Sequence, residues 1–217
     1  MVKPRSAAIS LLEPNIGLQR TSARGLAAEA ASLGRSWQSV RGISVPAAIA
    51  AVLLASLAIA QTLPPKEGYS WKRVPEIKAA FLVPNGWHFR REQKGTSLGY
   101  FISREKISPP GEFLVGLSIN VIHPPSSTKS SEYAKAFINQ FASGKAVIRT
   151  WDASQGPFVG YGCRVKDDST TMHALMLANP KTNTLYFVMF EAPNPEWQEA
   201  WHIGETLVDT LYLDDDV

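Results

Sequence analysis

The chain has 217 residues, enough for one domain plus targeting material. Its net charge of +3 is unevenly placed: six of the 22 basic residues but two of the 19 acidic ones lie in residues 1–60, which leaves residues 61–217 close to neutral and gives no argument for nucleic-acid binding by a folded domain. The single cysteine, Cys163, excludes an internal disulfide, so a domain of ~150 residues must rely on its hydrophobic core.

Gly42–Pro65 carries no charged side chain. Within it Ala47–Ala60 is an apolar run of signal-peptide length that follows Arg41. It ends in Ala58-Ile59-Ala60, the small-x-small pattern that signal peptidase accepts because its pockets admit only small side chains. No cysteine follows for lipid attachment, and no paired arginines precede for a twin-arginine route. The preceding residues are rich in Ser, Ala and Arg. Three arrangements fit them: a start at Val40 with Arg41 as the basic flank, an organelle transit peptide before a lumenal export signal, or an uncleaved run serving as membrane anchor. All three place residues 61–217 outside the cytosol or stroma. The expected division is therefore residues 1–60 as a basic segment plus export signal or anchor, and residues 61–217 as the folded domain. The expected location is periplasmic or secreted, or the thylakoid lumen in a phototroph, with membrane contact only through an uncleaved first segment.

Tyr69–Val74 reads as a short strand that Pro75 confines to an edge. Ala79–Val83 and Trp87–Arg91 read as strands flanking the turn signal Pro84-Asn85-Gly86. Leu98–Arg104 follows as a strand, Ser108–Gly111 as a loop, Phe113–Ile122 as a long strand and Pro124–Ser130 as a polar loop. Tyr133, Phe137 and Phe141 recur at helical spacing, predicting a helix over Glu132–Ser143 with Ser131 as N-cap and Gly144 just past its end. Ala146–Trp151 and Phe158–Lys166 read as strands. In the second, Val159, Tyr161, Cys163 and Val165 share one face; Gly160, Gly162 and Arg164 share the other. Thr171–Ala178 and Thr184–Glu191 are apolar on both faces and so need cover on both. Asn194 then suits an N-cap with Pro195 at the first helical position, opening a final helix whose Trp197 and Trp201 anchor it to the sheet. Hairpin-length connections imply antiparallel pairing. The expected fold class is α+β: an α/β/α sandwich with a central antiparallel sheet and helices on both faces.

Two local patterns carry a family likeness: Phe81-Leu82-Val83-Pro84-Asn85-Gly86-Trp87, and Phe190-Glu191-Ala192-Pro193-Asn194-Pro195-Glu196-Trp197 with Trp201 and Leu211-Tyr212-Leu213. With the strand–helix order they make Tyr69–Leu213 resemble the PsbP-like family, named for an extrinsic lumenal protein of the oxygen-evolving photosystem. Its fold is shared with the Ran-binding Mog proteins and with exported bacterial proteins. The resemblance implies a central antiparallel sheet with helices on both sides, no catalysis and no bound nucleotide. It carries over no metal-ligand or partner-binding residue.

No P-loop, dinucleotide fingerprint, G-x-S-x-G, HExxH or CxxC pattern is present. Three weaker constellations remain. Cys163 and His173 are symmetric about the Asp167–Ser169 turn and would be cross-strand neighbours in a regular hairpin, the core of a nucleophilic dyad; the competing reading makes both of them core side chains. Glu199, His202 and Glu205 share a helix face and could gather a divalent metal, or simply form the solvated side. His88, Arg90, Arg91 and Lys94 form a small basic patch for an acidic partner or phospholipid, or an ordinary strand face. The expectation drawn from all this is an exported, non-enzymatic domain that binds an unidentified protein partner or assists assembly of an envelope or membrane complex. No catalytic, cofactor or metal residue is assigned and no nucleic acid is expected. The recognition surfaces are placed at Ser108–Gly111 and Pro124–Ser130. The alternatives are a thiol-dependent hydrolase or transferase using Cys163 and His173, and a metal- or small-ligand-binding module.

Overall fold

The computed structural model describes residues 64–94, 97–108, 112–125 and 127–216. The expected export segment and the whole of residues 1–60 lie outside them. Among the described residues no helix is long and apolar enough to cross a membrane.

The chain runs β1 (Tyr69–Val74), a 3-10 turn (Pro75–Ile77), β2 (Ala79–Pro84), β3 (His88–Lys94), β4 (Ser97–Ser103), β5 (Gly116–Ile122), α1 (Ser130–Ala142), β6 (Ala146–Asp152), β7 (Val159–Lys166), β8 (Thr170–Asn179), β9 (Thr184–Pro193) and α2 (Trp197–Asp209). Seven strands form one antiparallel sheet in the order β3-β4-β5-β9-β8-β7-β6. The most apolar strands, β8 and β9, are therefore central, as strands apolar on both faces must be. β1 and β2 pair in a separate two-stranded sheet. Tyr212 extends it by exchanging backbone bonds with Ala80, the two distances being 2.8 and 3.1 Å.

Alternate residues of β8 and β9 enter two separate cores, as the period of two requires. Met172, Ala174, Met176, Leu185, Phe187 and Met189 pack with Cys163, Val165 and with Ala134, Phe137 and Ile138 of α1. Leu175, Leu177, Tyr186, Val188 and Phe190 pack with Phe81, Ile102, Leu117, Ile119 and with Ala200 and Leu207 of α2. Phe101, Ile107 and Phe113 make a third, small cluster. The antiparallel sheet, the helix count and the mixed α+β class agree with expectation.

Four local expectations are corrected. Pro84-Asn85-Gly86 closes no hairpin: β2 pairs with β1 and β3 with β4, so this turn hands the chain from one sheet to the other. Gly86 takes φ +86°, and Trp87 N donates to Pro84 O at 3.2 Å. β5 begins at Gly116 rather than Phe113, because Glu105 Oε2 takes the Val115 N–H at 3.1 Å and a Cβ on Gly116 would sit 2.2 Å from Ile102 O. Helix α1 begins at Ser130 without a side-chain cap on itself; Ser130 N donates instead to Asn183 Oδ1 at 2.8 Å. Asn194 is not the cap of α2. Its Oδ1 accepts from Thr171 Oγ1 at 2.7 Å and its Nδ2 donates to Asp167 O at 3.0 Å, tying the end of β9 to the β7–β8 turn, while α2 starts at Trp197.

Trp197 and Trp201 pack against the sheet as expected, each 6.0 Å from the Phe190 ring, but they are only part of the anchor of α2. Its buried stripe is Ala200, Gly204 and Leu207, whereas Trp197 and Trp201 are only partly buried. A Cβ on Gly204 would lie 2.6 Å from the Phe190 ring, so the helix backbone approaches the sheet as closely as glycine allows. The tryptophans flank this stripe and reach Arg164 of β7 and His173 of β8.

Candidate functional site

The register of β6, β7 and β8 sets what stands beneath those tryptophans. Arg149 is opposite Arg164, and Arg164 is opposite His173. The next row on the same face is Trp151, Gly162 and Leu175. Gly162 is needed there: the Trp151 ring lies where its Cβ would be, within 2.1 Å. The indole thus folds flat over β7 and reaches His173, 4.8 Å between ring centroids. From the other side Trp201 stacks on His173 at 4.3 Å and 25°, and Trp197 stacks on Trp201 at 5.4 Å and 18°. Arg149 lies over Trp151 at 4.6 Å; Arg164 lies over Trp201 at 4.3 Å and Trp197 at 5.2 Å.

Beside this stack opens a cleft of about 450 Å³. Leu175, Leu177, Val208 and Leu211 form its apolar lining; Arg149, Trp151, Trp201, Glu205 and Asp209 supply aromatic and charged walls. His173 is 5% exposed and its proton affinity is pushed down to about 3, by burial first and then by Arg164 and Arg149. Arg164 Nη2 meets His173 Nδ1 at 3.2 Å. A guanidinium can only donate, so Nδ1 accepts and the ring proton sits on Nε2. Asp209 is held above the usual carboxylate range by burial and by Glu205.

The structure separates the suspected dyad. Cys163 is opposite Ala174, not His173, so the two side chains point to opposite faces of the sheet. Cys163 is buried among the α1-side residues, and burial lifts its thiol to about 11 against a smaller opposing effect of Lys145. Neither an activated thiolate nor a usable base is present in this pair. Glu199, His202 and Glu205 are all exposed on α2, and their donor atoms do not converge. Among the described residues the group whose oxygens do is Asp214, Asp215 and Asp216, and Lys181 pairs with Asp215 and Asp216. The basic patch is divided: Arg90 pairs with Glu92 at 2.6 Å, while Arg91, on the opposite strand face, pairs with Glu76 at 3.2 Å. His88 is exposed. Of the Ser108–Gly111 loop only Ser108 is described; Pro124–Ser130 is latched to Asn183, whose Nδ2 donates to Thr128 O at 3.2 Å. Neither loop contributes a described residue to the cleft. Sequence reasoning missed the cleft itself; the signal was Gly162 on a strand face that also carries Arg164, opposite an aromatic residue.

No protein-family profile matches the chain, and no curated protein does. Similar solved structures include the solution structure of cyanobacterial PsbP from Synechocystis, 16% identical, covering 69% of this chain and 94% of that one with a TM-score of 0.46. The Ran-binding protein Mog1p of Saccharomyces cerevisiae is 10% identical, covering 67% and 95% with a TM-score of 0.45. LpqN, involved in cell envelope biogenesis of Mycobacterium tuberculosis, is 9% identical, covering 70% and 81% with a TM-score of 0.36. The first two are of the PsbP-like and Mog kinds that the sequence patterns resemble; at these identities the similarity is one of fold.

Proposed function

We propose that this chain is a non-enzymatic binding domain that docks a segment of a protein partner in the cleft between Trp151 and Trp201. The observation that carries this reading is the stack itself: partly exposed tryptophans and stacked arginines bordering an apolar-lined hollow. Tryptophan and arginine are enriched at the energetic centres of protein interfaces: the indole presents a large face with few rotatable bonds, and a guanidinium already stacked on an indole is ordered before binding. The cleft also lies beside β6, the outer strand of the sheet, where Val147 and Ile148 are 52% and 54% exposed. The separation of Cys163 from His173 argues against the thiol-dependent alternative.

The wider reading is an accessory or assembly factor built on residues 61–217 as an α/β/α sandwich, and exported by the Ala47–Ala60 segment. Short random peptides displayed on phage and selected against the purified protein test the binding reading. Binders are expected to move the ring signals of Trp151, His173 and Trp201 and to be lost in Trp201→Ala. Binders that map to another surface, or that survive the substitution, would refute it. The mass of the native N-terminus tests export: a chain beginning at Gln61 or an uncleaved envelope-bound chain supports it, and an intact chain in the cytosolic fraction does not.

A further inference from the structure

Three carboxylates and one guanidinium line the cleft: Asp152, Glu205 and Asp209 against Arg149. Among the described residues none of the three acids forms an ion pair. Arg149 lies over the Trp151 ring. Arg164 draws on Glu205 at longer range, but it stacks on Trp201 and is no part of the lining. Hydrogen bonding by Ser154 holds Asp152 below the usual carboxylate range, so that acid is charged at neutral pH. Glu205 and Asp209 are one turn apart on α2, a spacing at which like charges repel. Both stand toward the C-terminal end of the helix, the negative end of its dipole, and no basic residue occupies the last turn. The repulsion is felt at Asp209, whose proton affinity Glu205 raises, behind the larger effect of burial.

A second, independent feature points into the same cleft. His173 is 5% exposed, and its two ring faces meet Trp151 and Trp201. Its Nδ1 edge is taken by Arg164, so the Nε2–H edge is the one left to face the cleft that His173 lines. That donor has no acceptor among the described residues. A buried donor without a partner is costly, and a carbonyl oxygen satisfies it. Leu175 and Leu177 follow His173 on the same face of β8 and, with Leu211, make an apolar floor that suits an aliphatic stem. Trp201, Glu205 and Asp209 mark successive turns of α2, ~6 Å apart along its axis, which a lysine or arginine stem can span.

We propose that the cleft seats a basic residue of the docked segment, Lys or Arg. Its cationic head meets Asp152, Glu205 and Asp209, its stem lies on the leucines, and a backbone carbonyl accepts from His173 Nε2. The inference rests on the cleft being the docking site. An acidic head would meet three carboxylates, and a neutral one would leave their repulsion unrelieved.

The test uses probes of one shape and different charge: the Nα-acetyl methylamides of lysine, norleucine and glutamate, with butylamine as a cation that has no carbonyl. Each is titrated into the protein at neutral pH and low salt while the Trp201 indole N–H and His173 Nε2–H signals are followed. The lysine amide is expected to bind about ten-fold more tightly than the norleucine amide, with the glutamate amide weakest. It should also move the His173 N–H signal downfield, as an accepted hydrogen bond does, whereas butylamine should not. Glu205→Gln with Asp209→Asn, both at exposed positions, should abolish the lysine preference and leave the Trp201 signal of the free protein in place. Norleucine or glutamate amide binding as tightly as the lysine amide would refute the cation seat and leave the cleft reading standing. An undiminished preference in the double variant, a His173 signal that ignores the lysine amide, or no shift by any probe would each overturn the proposal. Lysine preference in a protein that selects no peptide would keep the seat and remove the protein-segment reading.

Discussion

Arg164 donates from Nη2 to Nδ1 of His173 at 3.2 Å, and this one contact decides where the imidazole proton resides. With Nδ1 occupied as acceptor, the neutral ring is the Nε2–H tautomer. A second proton would have to enter at Nδ1, against the Arg164 guanidinium and in a site that water scarcely reaches. Burial is the larger of these effects. Nitrogen-15 spectra of the imidazole should therefore show a fixed Nε2–H pattern with no titration between pH 5 and pH 8. A midpoint near that of an ordinary histidine would show that the Trp151–His173–Trp201 stack opens in solution.

The same residue makes stability depend on acid. The unfolded chain binds a proton at His173 as pH falls through the ordinary histidine range, while the native ring stays neutral until about 3. The stabilisation is thus complete above the ordinary value and is lost progressively as pH falls between the two, by up to about 1.4 kcal/mol per pH unit. Glu191 acts with the opposite sign. It is buried, and desolvation, helped by Asp167, lifts its carboxyl to about 8. Between the usual carboxylate range and about 8 the native state keeps a proton that the unfolded state releases, so stability falls as pH rises through that window. Glu191→Gln removes the ionisation and should stabilise the protein progressively more from pH 5 to pH 8 in urea titrations. A constant difference across that range would mean that Glu191 is already ionised in the native state.

The Cys163 thiol should be nearly inert. Its lift from the ordinary 9.0 to about 11 leaves about a hundred-fold less thiolate at neutral pH, and the side chain is buried. Native labelling with a disulfide reagent should be at least about a hundred-fold slower than labelling in denaturant. Cys163→Ala should leave peptide binding at the cleft unchanged, because the residue lies on the other face of the sheet. Rapid native labelling would reopen a chemical role for this side of β7.

What the sequence discloses about this site, and what it hides, turns on one residue of register. The alternation along β7 and β8 is plain in the residues: Cys163 belongs with Val165, Met172 and Ala174, and His173 with Leu175 and Leu177. Pairing Cys163 with His173 requires a three-residue turn centred on Asp168. The actual turn is tighter, with Asp167 N donating to Thr170 O at 2.9 Å, while Asp167 Oδ1 accepts from Ser169 N at 2.9 Å and Thr170 N at 2.7 Å. An aspartate that caps its own turn favours this geometry, and a one-residue slip exchanges the faces. The fold was more legible than the site because its strands are marked by local periodicity. The cleft depends on Trp151, His173 and Trp201, which meet only through the order of strands and the closeness of α2 to β9.

That closeness gives the last prediction. Alanine is the better helix former, so Gly204→Ala taken alone would stabilise α2 by about 1 kcal/mol. The added Cβ, however, would meet three atoms of the Phe190 ring at 2.6 to 2.7 Å. Phe190 is fully buried and Trp197 and Trp201 each stand 6.0 Å from its ring, so it has little room to turn away. Overpacking of this kind costs about 1–3 kcal/mol and should outweigh the helix gain. Gly204→Ala is expected to lower the urea midpoint and to loosen the Trp201–His173 stack, seen as a shift of the Trp201 indole signal. Adding Phe190→Leu should recover part of the loss, since the smaller branched side chain vacates the ring edge. An unchanged midpoint in Gly204→Ala would mean that the helix lifts from the sheet at little cost, and that the cleft geometry is set by Leu207 and Ala200 rather than by the glycine.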